Sequence, residues 1–140
     1  MTADLTWLTL TAVLVGLMWL PYTLERILRI GLIGATGYNP DSGVAGFRQA
    51  DETPPAWARR AHAAHANVTE SFPVFVALVL TAHVAGLAEG VVTTAAAVYF
   101  FARLGHAVCY WLGIPLLRTL SFFAGLGAFV AIAIVLLSAA

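Results

Sequence analysis

Polar residues in the segment 59–73 could do chemistry, because the chain around them is strongly apolar. An arginine pair, Arg59 and Arg60, precedes the amide of Asn67 and the carboxylate of Glu70. At about 100° per residue, Arg60, Asn67 and Glu70 share one face of a helix. Ionisable side chains inside a membrane segment are costly and usually mark a binding site, a proton relay or an ion pathway. We therefore predict a polar site on this helix.

A second polar stripe follows further along the chain. Arg103, His106 and Tyr110 are spaced i, i+3, i+7 and lie on one helical face. The two stripes fall at matching depth, so they can face each other. Guanidinium groups bind carboxylates through a planar fork of donors, and a carboxylate such as Glu70 suits an ammonium group. This pattern predicts a zwitterionic, peptide-like ligand, with Tyr110 and Arg118 placed to stabilise a thiolate or an oxyanion.

Structural roles for the same residues remain open at this point. Glu70 and Arg103 could form an ion pair that only fixes helix packing. The amide of Asn67 could bridge two membrane helices without binding a ligand. His62 and His65 are close enough in sequence to share a metal ion, but no third ligand is evident. We therefore predict no metal site.

The composition predicts a membrane protein. Hydrophobic residues make up 61% of the chain and charged residues only 10%, against about a quarter charged in a soluble domain. The uncharged runs 5–24 and 119–140 are each long enough to cross a bilayer core, and the blocks 71–88 and 90–112 add two more spans. Pro21 is expected to kink the first helix. The fold class predicted is all-α, an integral membrane four-helix bundle, as a single domain over 1–140 with helices at about 5–30, 54–86, 91–112 and 116–138.

The basic residues predict how the bundle is oriented. All seven are arginines, and with four spans each lies on or toward the side of the long loop 31–55. The opposite side offers only Asp4 and Glu89. The positive-inside rule then places the loop 31–55 in the cytoplasm and both termini outside.

Two motifs in order give the chain a family resemblance. The first is Asn67-x-x-Glu70-x-x-Pro73, and the second runs from Phe101 through Tyr110 and on to Gly113-Ile-Pro115-Leu-Leu-Arg118. Together they resemble the membrane-associated proteins in eicosanoid and glutathione metabolism, the MAPEG family, over about residues 56–127. Within that family the chain resembles a microsomal glutathione transferase-like member of bacterial type. The resemblance implies a homotrimer of four-helix protomers that binds glutathione between subunits near the cytoplasmic side.

The resemblance also implies roles for individual residues. Arg118 matches the catalytic arginine proposed to stabilise the glutathione thiolate. Many relatives carry an arginine where this chain has Ala63, and Arg60, one turn earlier on the same face, is the candidate to replace it. The full set of implied glutathione-binding residues is Arg26, Arg29, Arg60, Asn67, Glu70, Arg103, His106 and Tyr110.

The function expected from this resemblance is that of a detoxifying glutathione transferase or peroxidase. It would use glutathione as co-substrate, without metal, on a lipophilic electrophile or hydroperoxide, in the cell or inner membrane of a bacterium. Its partners would be two further copies of the chain, membrane lipid and the lipophilic substrate, with no nucleic acid. The alternative is a non-catalytic scaffold that binds lipid or a protein partner. A proton-coupled exporter using Glu70 is a weaker third hypothesis, since the sequence shows no two-fold pseudo-symmetry.

Overall fold

The computed structural model describes residues 1–36 and 53–139, and within these ranges the chain is all-helical, without strands. Among these described residues, four helical stretches are long and apolar enough to cross a membrane. The predicted all-α bundle with four spans is therefore confirmed. Most of the predicted loop 31–55 lies outside the described residues. The helices are α1 (Ala3–Leu17), α2 (Leu20–Thr36), α3 (Ala56–Val84), α4 (Val91–Leu112) and α5 (Pro115–Ser138).

The first span differs from the single helix expected at about 5–30. It is divided into α1 and α2 by a turn at Met18 and Trp19. Pro21 explains the position of the break, because its ring clashes with the carbonyl of the residue four positions earlier and it has no N–H to donate. That earlier residue is Leu17, where α1 ends. The kink expected at Pro21 thus begins at the turn before it.

The connection between α4 and α5 is only two residues long. Gly113 adopts a φ of 75°, a left-handed conformation that favours glycine. Its N–H donates to the carbonyl of Tyr110 at 3.1 Å, and the N–H of Ile114 donates to Cys109 at 2.9 Å. Pro115 then opens α5 with a pre-set φ. These caps make α4 and α5 antiparallel neighbours.

The centre of the bundle is a packed apolar core. The rings of Phe75 on α3 and Tyr99 on α4 stack with centroids 3.8 Å apart. The hydroxyls of Tyr99 and Ser71 are hydrogen bonded at 3.0 Å. Buried alanines line α3 and α4, and such small residues allow membrane helices to approach closely. This packing fixes the register of α3 against α4.

The two ends of the bundle differ in charge. At the end that carries the termini, Asp4 is fully buried and its Oδ2 lies 2.9 Å from Nδ1 of His83. This contact joins the start of α1 to the end of α3, so the two helices are antiparallel. All arginines in the described ranges lie in the half of the bundle nearer the opposite end, where α2 and α4 finish and α3 and α5 begin. They are Arg26, Arg29, Arg59, Arg60, Arg103 and Arg118.

Candidate functional site

The most unusual side chain in the structure is that of Arg103 on α4, which is only 1% exposed. Its Nη1 donates a long hydrogen bond of 3.4 Å to Oδ1 of Asn67. Its Cζ lies 4.9 Å from the ring centroid of Tyr99 and 5.4 Å from that of Phe122. Cation–π attraction therefore stabilises the guanidinium. Within the described chain its Nε has no hydrogen-bond partner and no carboxylate forms an ion pair with it.

Arg103 is buried at the middle of the membrane span. It lies nine residues before Leu112, the last residue of α4. At 1.5 Å per residue this distance is about 14 Å, close to half of a hydrocarbon core of about 30 Å. A charged group at that depth is expensive and is usually functional.

Gly125 on α5 provides the space that the guanidinium occupies. A Cβ atom at this position would lie 2.9 Å from Nη2 of Arg103 and 3.0 Å from its Cζ and Nε. Any residue larger than glycine would therefore displace the guanidinium. The group that packs against Gly125 is thus the charged end of Arg103.

His106 lies one turn beyond Arg103 and is almost fully buried. Its Nδ1 lies 3.0 Å from the carbonyl oxygen of Arg118. A carbonyl can only accept, so Nδ1 carries the hydrogen and donates it. The Nε2 of a neutral imidazole is then an acceptor, and this buried atom has no partner among the described residues.

Arg118, in the first turn of α5, is held by α4 through both its main chain and its side chain. His106 bonds its carbonyl, and its Cζ lies 4.7 Å from the ring centroid of Tyr110. The rings of His106 and Tyr110 meet edge to face with centroids 5.4 Å apart. The structure thus brings together four of the predicted site residues, which we call the α4–α5 cluster: Arg103, His106, Tyr110 and Arg118.

Arg60 does not continue the polar face that the helical wheel assigned to it. Its Nε donates to the carbonyl of Trp111 at 3.0 Å, and its guanidinium packs against Gly113. The side chain therefore caps the last turn of α4, where carbonyls lack helical partners. It lies beside the connection that leads to Arg118.

Glu70 is exposed on the outer surface of the protomer. The ion pair between Glu70 and Arg103, considered above as a packing device, is absent from the described part of the chain. Glu70 is 14 residues from Ala56 and 14 from Val84, so it too lies at mid-depth of its span. Its neighbour on the same face, Asn67, is the contact between α3 and the α4–α5 cluster.

Arg26 and Arg29 lie elsewhere, on α2. Nε of Arg29 forms an ion pair with Oε1 of Glu25 at 2.7 Å. Both arginines line a cavity of about 590 Å³ whose other walls include Arg59 and His62. No member of the α4–α5 cluster lines this cavity. One protomer therefore does not bring Arg26 or Arg29 to the cluster.

Several neighbours of the polar residues could not be identified from the sequence. Tyr22 contacts both histidines of α3, with its hydroxyl 2.8 Å from Nδ1 of His65 and its ring 5.1 Å from that of His62. Tyr99 and Phe122 flank Arg103. Aromatic residues are frequent in any membrane helix. Only the packing of the helices against one another shows which aromatic side chains contact the polar residues.

Comparison with known proteins gives one positive result. No curated protein and no solved structure matches the chain. The family model described as MAPEG family matches residues 5–138 of the 140. This match covers all four spans and both predicted polar stripes. The chain belongs to the MAPEG family.

Proposed function

We propose that this protein is an integral membrane glutathione transferase or peroxidase that activates the glutathione thiol for attack on a lipophilic electrophile or hydroperoxide. The observation that carries this proposal is the buried guanidinium of Arg103, which has no carboxylate partner in the described chain. A buried charge without a counter-ion is strongly unfavourable. Binding of an anionic ligand removes that penalty, and glutathione has two carboxylates.

The α4–α5 cluster offers glutathione complementary groups. Arg103, with Asn67 beside it, suits a carboxylate. The unpartnered Nε2 of His106 suits an N–H or S–H donor. Arg118 supplies a positive charge that lowers the pKa of a nearby thiol and so favours the thiolate. With a carbon electrophile, the thiolate sulfur bonds to the carbon and the leaving group departs with its bonding electron pair. With a hydroperoxide, the sulfur bonds to the terminal oxygen, the O–O bond breaks and the alkoxide leaves and takes up a proton. A second glutathione then converts the resulting sulfenic acid to glutathione disulfide and water.

The position of Glu70 supports an oligomer. A carboxylate that faces lipid at mid-depth is costly, so residues of this kind face the interior of a bundle or a polar cavity. In our proposal two further copies of the chain cover this face, as a homotrimer, and glutathione binds between subunits. Glu70 then meets the ammonium group of the ligand. Arg26 or Arg29 would reach the site only from a neighbouring copy.

The distribution of arginines supports an orientation in the membrane. Because every described arginine lies in one half of the bundle, the positive-inside rule favours that end in the cytoplasm. In this orientation the protein lies in the cell membrane, with the loop 31–55 in the cytoplasm and both termini on the outside.

The test uses the full chain purified in detergent. We expect glutathione to raise the melting temperature, since a ligand that binds only the folded state stabilises it. Arg118→Ala should lower the conjugation rate with an aromatic halide, or the reduction rate of a lipid hydroperoxide, by about 100-fold, the scale for loss of one charge-stabilising group. S-methylglutathione, which has no thiol to ionise, should bind wild type and Arg118→Ala equally. Unchanged turnover in Arg118→Ala would overturn the role of Arg118.

The second candidate is a non-catalytic scaffold that binds lipid or a protein partner. One observation in its favour is Ala63, because many relatives carry an arginine there. The other is that Arg60, the candidate to replace that arginine, donates instead to the Trp111 carbonyl at the end of α4. This candidate predicts that glutathione leaves the melting temperature unchanged. Glu89→Gln, at the opposite end of the bundle, is the matched control in both experiments.

A further inference from the structure

The last turn of α4 needs hydrogen-bond donors from outside the helix, because its carbonyls have no partner within it. The connection to α5 supplies two such donors, the N–H groups of Gly113 and Ile114. The next residue, Pro115, has no N–H to donate. The carbonyl of Trp111 is bonded from α3 instead, by Nε of Arg60 at 3.0 Å. A side chain of one helix thus completes the end of another.

Arg60 also packs against the connection between α4 and α5. A Cβ atom at Gly113 would lie 3.4 Å from Cζ and Nε of Arg60, which is van der Waals contact. Ala61 and Ala64, on the same stretch of α3, are fully buried, so the part of α3 that carries Arg60 is packed firmly into the bundle. The connection is therefore held against a fixed support.

We propose that Arg60 is a positioning residue for Arg118: its bond to the Trp111 carbonyl fixes the connection, and the connection fixes where α5 begins. Arg118 lies in the first turn of α5, and its N–H donates to the carbonyl of Ile114 at 3.2 Å. A displacement of the connection would therefore move the guanidinium of Arg118. This inference rests on the proposed function, in which Arg118 stabilises the thiolate of glutathione. It gives Arg60 a role other than that of the glutathione ligand implied by the resemblance.

The position of Arg60 along the bundle favours this role over direct binding. Trp111 follows Arg103 by eight residues, about 12 Å along α4. Arg60 thus acts at the level of the connection and not at the carboxylate site proposed beside Arg103. Its Nε is already used as a donor, so the guanidinium can offer a carboxylate only its Nη atoms.

Two substitutions separate the hydrogen bond from the charge. In Arg60→Gln, the side-chain amide nitrogen is as many bonds from the main chain as Nε of arginine, so it can donate to the Trp111 carbonyl without a charge. In Arg60→Met, a methyl group takes the same place and the bond is lost. The matched control is Arg59→Met, because the neighbouring Arg59 bonds the Pro54 carbonyl, before the start of α3.

The first readout is the pH dependence of turnover with glutathione, measured on the full chain purified in detergent. In Arg60→Met the pH midpoint of kcat should rise by about 0.7 unit, because a displaced Arg118 lowers the pKa of the thiol less. On the acid side of the profile this shift is about a fivefold lower kcat, the scale of one hydrogen bond. KM for glutathione should stay close to that of the wild type. Arg60→Gln and Arg59→Met should stay close to the wild type in both quantities.

The second readout is hydrogen–deuterium exchange, measured without glutathione. In Arg60→Met the amides of residues 113–118 should exchange severalfold faster than in the wild type, and in Arg60→Gln they should exchange at the wild-type rate. Unchanged exchange in Arg60→Met would show that the bond does not hold the connection, and the proposal would be wrong. A merely structural contribution of Arg60 would lower the amount of folded enzyme without moving the pH midpoint, and that result would also contradict the proposal.

A direct contact with glutathione would give a different pattern. If Arg60 bound a carboxylate of the ligand, Arg60→Gln and Arg60→Met would both raise KM with kcat kept, which would overturn the positioning role. Arg60→Gln alone makes this distinction, so it does not require the methionine variant to fold. A wild type without glutathione turnover would overturn the proposed function and this inference with it. An active wild type with equal effects in the two variants would overturn only this inference.

Discussion

Nδ1 of His106 and the carbonyl oxygen of Arg118 lie 3.0 Å apart, and this hydrogen bond attaches the first turn of α5 to α4. The N–H of Arg118 also bonds within its own turn, to Ile114 at 3.2 Å. The main chain that carries the proposed catalytic guanidinium is therefore fixed from two directions. In the proposed mechanism His106 positions Arg118, and its Nε2, which has no partner among the described residues, can accept from a ligand.

Substitution of His106 should separate these two roles. In His106→Asn, the side-chain amide can still donate to the Arg118 carbonyl but cannot replace Nε2, so we expect a raised KM for glutathione with kcat nearly kept. In His106→Ala both the bond to Arg118 and Nε2 are lost, and kcat should fall by about fivefold, as expected from a hydrogen bond worth about 1 kcal/mol. Steady-state kinetics on both variants measures this split. Equal kcat in the two variants would mean that the bond to Arg118 does not affect turnover.

Gly125→Ala should weaken ligand binding through Arg103. The added methyl group would lie within 3.0 Å of the guanidinium, which must then leave its place between Tyr99 and Phe122. We expect the dissociation constant for glutathione, measured by calorimetry, to rise about tenfold, which corresponds to about 1.4 kcal/mol.

Gly127→Ala is the control for that prediction, because a Cβ atom at Gly127 has no neighbour within 4 Å. It should bind glutathione like the wild type. Its free energy of unfolding should be unchanged or raised by up to about 1 kcal/mol, since alanine is the better helix former. If Gly125→Ala also bound like the wild type, the position of Arg103 would not matter for the ligand.

Tyr110 should act through its ring and not through its hydroxyl. The guanidinium of Arg118 lies 4.7 Å from the ring centroid, and cation–π contacts contribute about 0.5–2 kcal/mol. Tyr110→Phe keeps the ring and should keep most of the activity of the wild type. Tyr110→Leu should lose about 2- to 30-fold in kcat/KM, the range that corresponds to that energy. A loss of the same size in Tyr110→Phe would instead assign the role to the hydroxyl.

The contact between Asp4 and His83 should contribute to stability and not to activity. It lies at the end of the bundle opposite the arginines and joins α1 to α3 at 2.9 Å. A double-mutant cycle with Asp4→Ala and His83→Ala, read from thermal unfolding in detergent, should give a coupling energy of about 0.5–2 kcal/mol. Turnover with glutathione should stay unchanged in folded protein. Additive effects of the two substitutions would show that the contact is not stabilising.

Much of the fold could be predicted because it depends on local properties of the sequence. The length of an apolar run determines whether it spans a membrane, and helical periodicity places Arg103, His106 and Tyr110 on one face. Of the two predicted polar stripes, only Asn67 and Arg103 are in contact within the described chain; Glu70 is exposed and Arg60 bonds to the Trp111 carbonyl instead. The break before Pro21 also follows from local sterics.

What could not be predicted depends on how the helices are set against one another. The bond from Arg60 to the Trp111 carbonyl forms because the start of α3 lies at the same level as the end of α4. The helical periodicity of the sequence does not predict this relative position of the two helices. The same holds for Gly125, whose role appears only once α5 is placed against Arg103. The roles of the candidate site residues in binding and catalysis remain predictions for the experiments above.

The short connection between α4 and α5 leads to an expectation about how Arg103 enters the membrane during synthesis. On its own, α4 would carry Arg103 into the hydrocarbon at a cost of about 2.5–3.5 kcal/mol. Joined by Gly113 and Ile114, α4 and α5 form a helical hairpin, and α5 is the most apolar of the four spans. Gly125 on α5 accommodates the guanidinium and Phe122 covers it. We therefore expect the translocation machinery to release the two helices together, with the charge of Arg103 already shielded from lipid.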